Sequence, residues 1–302
     1  MSSSANSKPC SRIPPWLRTS LPRDDSFADT ARLLKRLKLH TVCQSALCPN
    51  RFECFQSRTA TFLILGAHCT RHCAFCNIDA EPPEPVDPAE PDRVAEAAAE
   101  LGLRHAVVTS VTRDDLPDGG AAHFAATIRA IRKTLPGSTV EVLIPDLQGD
   151  AAALDAVLEA GPDVLNHNLE TVRRLYPQVR PEADYERSLE VLRRAAEAGF
   201  PAKSGLMLGL GETREEVRGA LEDLASAGVS MATMGQYMQP SRRHHPVAHY
   251  LTPEKFEELG ELARELGVPR VMSAPLVRSS YRAGEMAREG ACHGPAGGCG
   301  RP

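Results

Sequence analysis

The sequence predicts an α/β protein: a partial (β/α)6 TIM-like barrel with extensions at its N- and C-terminal ends. Three observations carry that expectation. Six short apolar, β-rich runs, at 62–65, 106–109, 139–144, 164–168, 203–208 and 229–237, alternate with amphipathic stretches of helical length. Such βα alternation implies a parallel sheet with right-handed crossovers, and six units fall short of the eight that close a barrel. Polar residues also gather just after the strands, on the side that forms the catalytic rim of (β/α) barrels. A chain of 302 residues is long enough to bury such a core.

Taken in order, residues 1–26 are polar, with Pro14, Pro15 and Trp16 a docking point, and 27–40 hold a short helix. Residues 41–58 read as a loop carrying Cys43, Cys48 and Cys54. Between the strands, Phe124, Ile128, Ile131 and Leu135 share one helical face, as do Tyr185, Leu189 and Leu192. Thr213 and Glu216 make a capping box, Val217, Leu221 and Leu224 the apolar stripe behind it, and Gly228 the stop. Thr252 followed by Pro253 opens another helix, ending near Gly267. Three parts follow: an N-terminal extension at 1–58, the barrel at 59–274 and a C-terminal extension at 275–302.

Bulk properties exclude several classes. The formal net charge of −4 offers no basic field for nucleic acid, and Lys35, Arg36 and Lys38 read as a solvated helix face. No apolar run reaches the roughly 18 residues of a membrane span, and no signal peptide or Arg-rich transit segment is evident. A cytoplasmic protein without membrane contact is the expectation. In a reducing compartment clustered thiols point to metal or catalysis, and six of the nine cysteines lie between Cys43 and Cys76.

Cys69-x3-Cys73-x2-Cys76 supplies three thiolates in one turn of loop directly after a strand. A zinc site has four protein ligands, or three with a water and usually histidine. A cubane iron–sulfur cluster on three cysteines instead leaves one iron free for a small molecule. A zinc knuckle is the structural alternative. The spacing of Cys43, Cys48 and Cys54 is weaker by itself, compatible with zinc or with incidental loop cysteines.

With Phe75 directly before its last cysteine, the first set resembles the signature of the radical S-adenosylmethionine superfamily. The run from Cys43 through Cys76 resembles the lipoyl synthase family within it, and so do the blocks at 109–120, 166–171, 203–212, 235–241 and 277–281. The match runs from about residue 40 to 283. The resemblance implies two [4Fe-4S] clusters. One sits on Cys69, Cys73 and Cys76 and binds S-adenosylmethionine. The other, auxiliary cluster is carried by the extensions, on Cys43, Cys48 and Cys54 with a serine as fourth ligand. Ser280 is the candidate, ahead of Ser279. An alkoxide is harder and more basic than a thiolate, so its protonation would free that iron.

The resemblance further implies contacts to S-adenosylmethionine from Phe75, Ser110, Asn168 and Glu170. Each is also compatible with a rim residue that only satisfies loop backbone. The implied reaction inserts two sulfur atoms at C6 and C8 of an octanoyl-lysine, carbons whose hydrogens are not acidic and so need homolytic abstraction. The implied partners are octanoylated lipoyl carriers of the 2-oxoacid dehydrogenase E2 or glycine cleavage H type, with ferredoxin or flavodoxin as electron donor. Another sulfur-inserting radical enzyme, or a non-enzymatic metal-cluster carrier, are the other readings. Lys203 reads as a surface strand terminus, and Arg113 with Asp114 and Asp115 as a salt-bridged turn. His244, His245 and His249 read as an exposed loop, and Cys10, Cys292 and Cys299 as free thiols of the tails.

Overall fold

The computed structural model describes residues 13–19 and 26–288, so Cys10, Cys292 and Cys299 lie outside the described residues. Its eight strands are β1 (His40–Thr41), β2 (Thr61–Ile64), β3 (His105–Ser110), β4 (Thr139–Leu143), β5 (Val164–Asn166), β6 (Ala202–Leu208), β7 (Met231–Gln236) and β8 (Arg270–Ser273). They form one sheet in chain order. From β2 to β8 every neighbour is parallel, while β1 runs antiparallel to β2 at one edge. This is the predicted open barrel, and β2 to β7 are the six expected strands. The two edge strands were not anticipated. A two-residue strand carries no periodicity, and the residues of β8 are all half-buried, so neither gives an apolar run.

The helices are α1 (Ser26–Arg36), α2 (Val42–Ser45), α3 (Arg51–Gln56), α4 (Glu90–Leu101), α5 (Ala121–Thr134), α6 (Ala151–Glu159), α7 (Tyr176–Val179), α8 (Tyr185–Glu197), α9 (Arg214–Ser226), α10 (Pro253–Glu265) and α11 (Ala283–Arg288). The reading of 41–58 as a loop is corrected by α2 and α3. Thr41 caps α2 by accepting from the Gln44 N–H, and α3 is held by Phe55, which is fully buried and stacks on Phe27. Both are too short to show a hydrophobic period. Before them, Trp16 anchors the described N-terminal piece by donating to the Leu251 carbonyl at 3.1 Å.

At α9 both halves of the capping box form: Thr213 accepts from the Glu216 N–H, and the Glu216 carboxylate from the Thr213 N–H. Arg174 also grips Glu216. Thr213→Ala is expected to cost about 1 kcal/mol, read as a lower urea midpoint with unchanged slope.

After β8 the chain does not leave the barrel. A Cβ on Gly235 would lie 2.0 Å from the Val277 carbonyl oxygen, and one on Gly205 would lie 3.2 Å from Ser279 Oγ. Glycine at these inward positions of β7 and β6 is what lets the returning segment pass. At the strand starts, Met286 of α11 packs against Val164 and Met231. The C-terminal segment therefore runs from the rim to the opposite end and fills the barrel below the cavity.

Lys203 is not a surface terminus. Its ammonium lies 2.8 and 3.2 Å from the two carboxylate oxygens of Glu141 across the barrel interior, and both side chains have no solvent exposure. Asn166 donates to the same carboxylate at 3.1 Å, and His105 Nε2 lies 3.4 Å from it. Strand β6 is buried on both faces, so its sequence shows no polar alternation to reveal which way Lys203 points.

Candidate active site

A cavity of about 320 Å³ opens at the C-terminal ends of the strands. Its walls bring together Cys43, Cys48 and Cys54 from one side, Phe75 and Cys76 from another, and Ser110, Asn168 and Glu170 from the strand ends. Ser279 and Ser280 complete it from the returning C-terminal segment. Segments more than 200 residues apart in the chain thus meet at one place. Cys69 and Cys73 are not among the lining residues; they belong to the loop that carries Cys76 to the wall.

Arg71 fixes that loop. Its guanidinium donates to both carboxylate oxygens of Asp114 at 2.6 and 3.0 Å and to Asp146 at 2.6 Å. Asp146 is fully buried, and burial raises its carboxyl, but Arg71 outweighs that and holds it at about 2; Arg187 lies 3.3 Å from its other oxygen. Such bidentate, charge-assisted bonds set both position and angle. Arg113 instead pairs with Asp115, so the expected single turn is two ion pairs with different tasks. Peptide N–H groups of Arg71 and Ile78 point at the sulfurs of Cys69 and Cys76, at 3.4 and 3.5 Å. The histidine loop is not merely exposed. His244 bonds the Cys76 carbonyl at 3.0 Å, and the His245 N–H donates to the Ala74 carbonyl at 2.8 Å, strapping the cysteine loop from above.

Burial pushes the thiols up, to about 11 for Cys43 and Cys73 and about 12 for Cys54 and Cys76. Within each set the sulfurs also raise one another: Cys48 acts on Cys43 and Cys54, and Cys69 on Cys73 and Cys76. Cys43, Cys54, Cys73 and Cys76 therefore stay protonated near neutrality until a metal displaces their protons. Among the described residues no three His, Cys, Asp or Glu side chains converge as a single ion requires. The fit to clusters rests instead on the soft thiol donors, four of which line one cavity.

A second set of groups fits an amino acid and a ribose. Ser110 Oγ, Asn168 Oδ1 and Arg180 Nε are buried without a hydrogen-bond partner. An orphaned buried polar atom costs about 1–3 kcal/mol, a cost that a polar ligand removes. Burial raises the Glu170 carboxyl above its ordinary value, against the pull of Arg180, and its backbone sits at φ 67°. Strain of this kind persists where surrounding structure enforces it. Here the enforcement is a bridge to β6, with the Glu170 N–H donating to the Gly205 carbonyl and the Met207 N–H to that of Glu170.

The comparisons with known proteins decide the family. The profile of the radical SAM superfamily matches residues 63–224, and that of the N-terminal domain of lipoyl synthase of the radical SAM family matches residues 3–48. A lipoyl synthase of Oleidesulfovibrio alaskensis is 61% identical over 289 residues, covering 96% of this chain and 99% of its own. One from Nitratidesulfovibrio vulgaris is 62% identical, covering 94% and 95%. One from Chlorobium chlorochromatii is 54% identical, covering 91% and 95%.

The chain belongs to the lipoyl synthase family.

It is accordingly a radical SAM sulfur-inserting enzyme that uses S-adenosylmethionine and a [4Fe-4S] cluster, and its substrate is a lipoyl carrier protein. Solved structures agree on the fold. Methylornithine synthase superposes with a TM-score of 0.54 at 15% identity, covering 81% of this chain and 75% of its own. A maturase of the [FeFe]-hydrogenase gives 0.53 at 17%, covering 81% and 62%. Among the described residues no helix is long and apolar enough to cross a membrane.

Sequence reasoning missed Arg71, Arg180 and Arg278. Two stand inside quoted motifs: Arg71 between cysteines, Arg278 beside the serines. Arg278 lines the cavity, with burial pulling its guanidinium below its usual value while Cys48 and Glu170 oppose that. Arg180 gave no signal. It follows Asn168 by a stretch of short helices, and only folding returns its guanidinium to the Asn168 carbonyl at 3.0 Å.

Proposed function

We propose that two [4Fe-4S] clusters face each other across this cavity, one on Cys69, Cys73 and Cys76 and the other on Cys43, Cys48, Cys54 and Ser280. The observation that carries this reading is the single cavity lined by Cys43, Cys48 and Cys54 and by Cys76 of the other set. When bound, the first cluster supplies the electron that cleaves S-adenosylmethionine to a hydrogen-abstracting radical, and the second supplies sulfur for C6 and C8 of the octanoyl chain. The chain's own residues hold and shield these groups. Ser110, Asn168 and Glu170 line the cavity and offer acceptors for the amino group and ribose hydroxyls, while Arg180, outside the lining and bonded to the Asn168 carbonyl, keeps a buried N–H that would serve the carboxylate. Phe75, Leu143 and Met207 keep the space apolar, which protects a radical from water. Asn168 donates to Ser279 at 2.6 Å, leaving Ser280 as the serine whose hydroxyl makes no hydrogen bond among the described residues.

In this reading residues 1–58 and 275–302 supply the second cluster and 59–274 the barrel that holds the first. The lipoyl carrier, of the E2 or glycine cleavage H type, threads its octanoyl-lysine into the rim, and ferredoxin or flavodoxin delivers electrons. The reducing cytoplasm suits nine cysteines.

Anaerobic reconstitution tests the whole. About eight irons, 5′-deoxyadenosine and a dithiolated octanoyl-lysine peptide are expected; about four irons with all six cysteines intact would overturn the second cluster. Arg180→Met is expected to weaken S-adenosylmethionine binding roughly tenfold to a hundredfold, the worth of one charge-assisted hydrogen bond. Equilibrium dialysis measures it, with the melting temperature as the control for folding.

A further inference from the structure

We infer that Glu53 is a positioning residue, a weak latch that holds the serine-bearing segment onto the upstream cysteine helix and lets it go. The inference rests on the assignment of Ser280 as an iron ligand. Glu53 lies in α3 immediately before Cys54, and its carboxylate accepts from the Tyr281 hydroxyl at 2.9 Å. Arg282 reaches the same carboxylate at 3.5 Å. On the other side of Ser280, Ser279 is tied to the barrel through Asn168. Ser280 is thus suspended between one half-buried tether and one exposed one.

Two further features show how the exposed tether is made. Arg282 adopts a left-handed backbone at φ 49°, and its guanidinium lies 5.4 Å from the Tyr281 ring centre. That reversal turns two consecutive side chains toward one carboxylate, and a non-glycine residue keeps it only where contacts hold it. A second anchor, Asn50 Nδ2 to the Leu276 carbonyl at 2.7 Å, fixes the start of the segment but not its serines.

The latch is built to open. Glu53 and Arg282 are each 53% exposed, and ion pairs in that setting are weak and screened by salt. Glu285, 3.8 Å from Arg282, offers a second carboxylate when the first lets go. A ligand that must leave as its cluster is consumed is better held this way than by a buried bond.

The test uses the full-length enzyme with both sites loaded, challenged anaerobically with bathophenanthroline disulfonate. Glu53→Ala is expected to speed iron loss from the Cys43/Cys48/Cys54 site about fivefold while leaving the other site at the wild-type rate. The wild-type rate should rise with added KCl and that of the variant should not, a response that a merely structural role does not produce. Ser280→Ala sets the ceiling. A wild-type rate in Glu53→Ala beside a fast Ser280→Ala overturns the latch and leaves the ligand assignment standing. Wild-type rates in both overturn the assignment, and the latch with it. If Glu53→Ala does not load, Tyr281→Phe carries the same comparison, since it removes one bond and keeps the ion pair.

Discussion

Alanine at Cys76 is expected to abolish 5′-deoxyadenosine formation, a loss of at least about a thousandfold, while about half of the iron remains bound. Three thiolates are the minimum that leaves one iron open to S-adenosylmethionine, and the loop has no spare. The other cysteines lining the cavity are Cys43, Cys48 and Cys54, carried by α2, α3 and the turn between them. Arg71, held by Asp114 and Asp146, fixes the loop so that a distant donor cannot be drawn in. Alanine at Cys54 gives the complementary result: deoxyadenosine still forms, and the octanoyl peptide gains no sulfur. Chromatography of deoxyadenosine beside an iron count separates the two. Turnover by the Cys76 variant would show that the open iron is held elsewhere.

The largest expected loss of stability comes from Lys203→Met, about 3–5 kcal/mol. It strands the Glu141 carboxylate in the barrel interior with only Asn166 and His105 for company. Removing both charges, as Glu141→Leu with Lys203→Met, is expected to cost less than the single change, because the burden lies in the unpaired charge. Urea unfolding at neutral pH measures both, and a double variant weaker than the single would refute the account. The pair also sets an acid response. Burial raises the Glu141 carboxyl, but Lys203 and His105 outweigh it and hold the group at about 2, below its ordinary 4.5. A depressed carboxyl contributes its full stability above the ordinary value and loses it as pH falls toward the folded one. Acid destabilisation between about pH 4.5 and 2 should therefore shrink when Glu141 is replaced together with Lys203.

By itself the sequence determined the open barrel, through six apolar runs whose spacing demands helical crossovers, and the capped start of α9, through Thr213 and Glu216. It also carried the donor set proposed for the first cluster, because three thiols within eight residues need no fold to bring them near one another. These are local patterns, legible wherever the physics acts over a few residues. Only the tertiary structure decided the rest. Cys43, Cys48 and Cys54 border the same cavity as Cys76 because β1 and the short helices after it fold back on the barrel edge. Ser280 joins them because glycines at 205 and 235 admit the returning chain. Lys203 turns inward to Glu141, and Arg180 returns to Asn168, through closures that no periodicity records. In a parallel barrel both faces of a strand are buried, so the sequence marks a strand without saying which of its polar side chains points to the site.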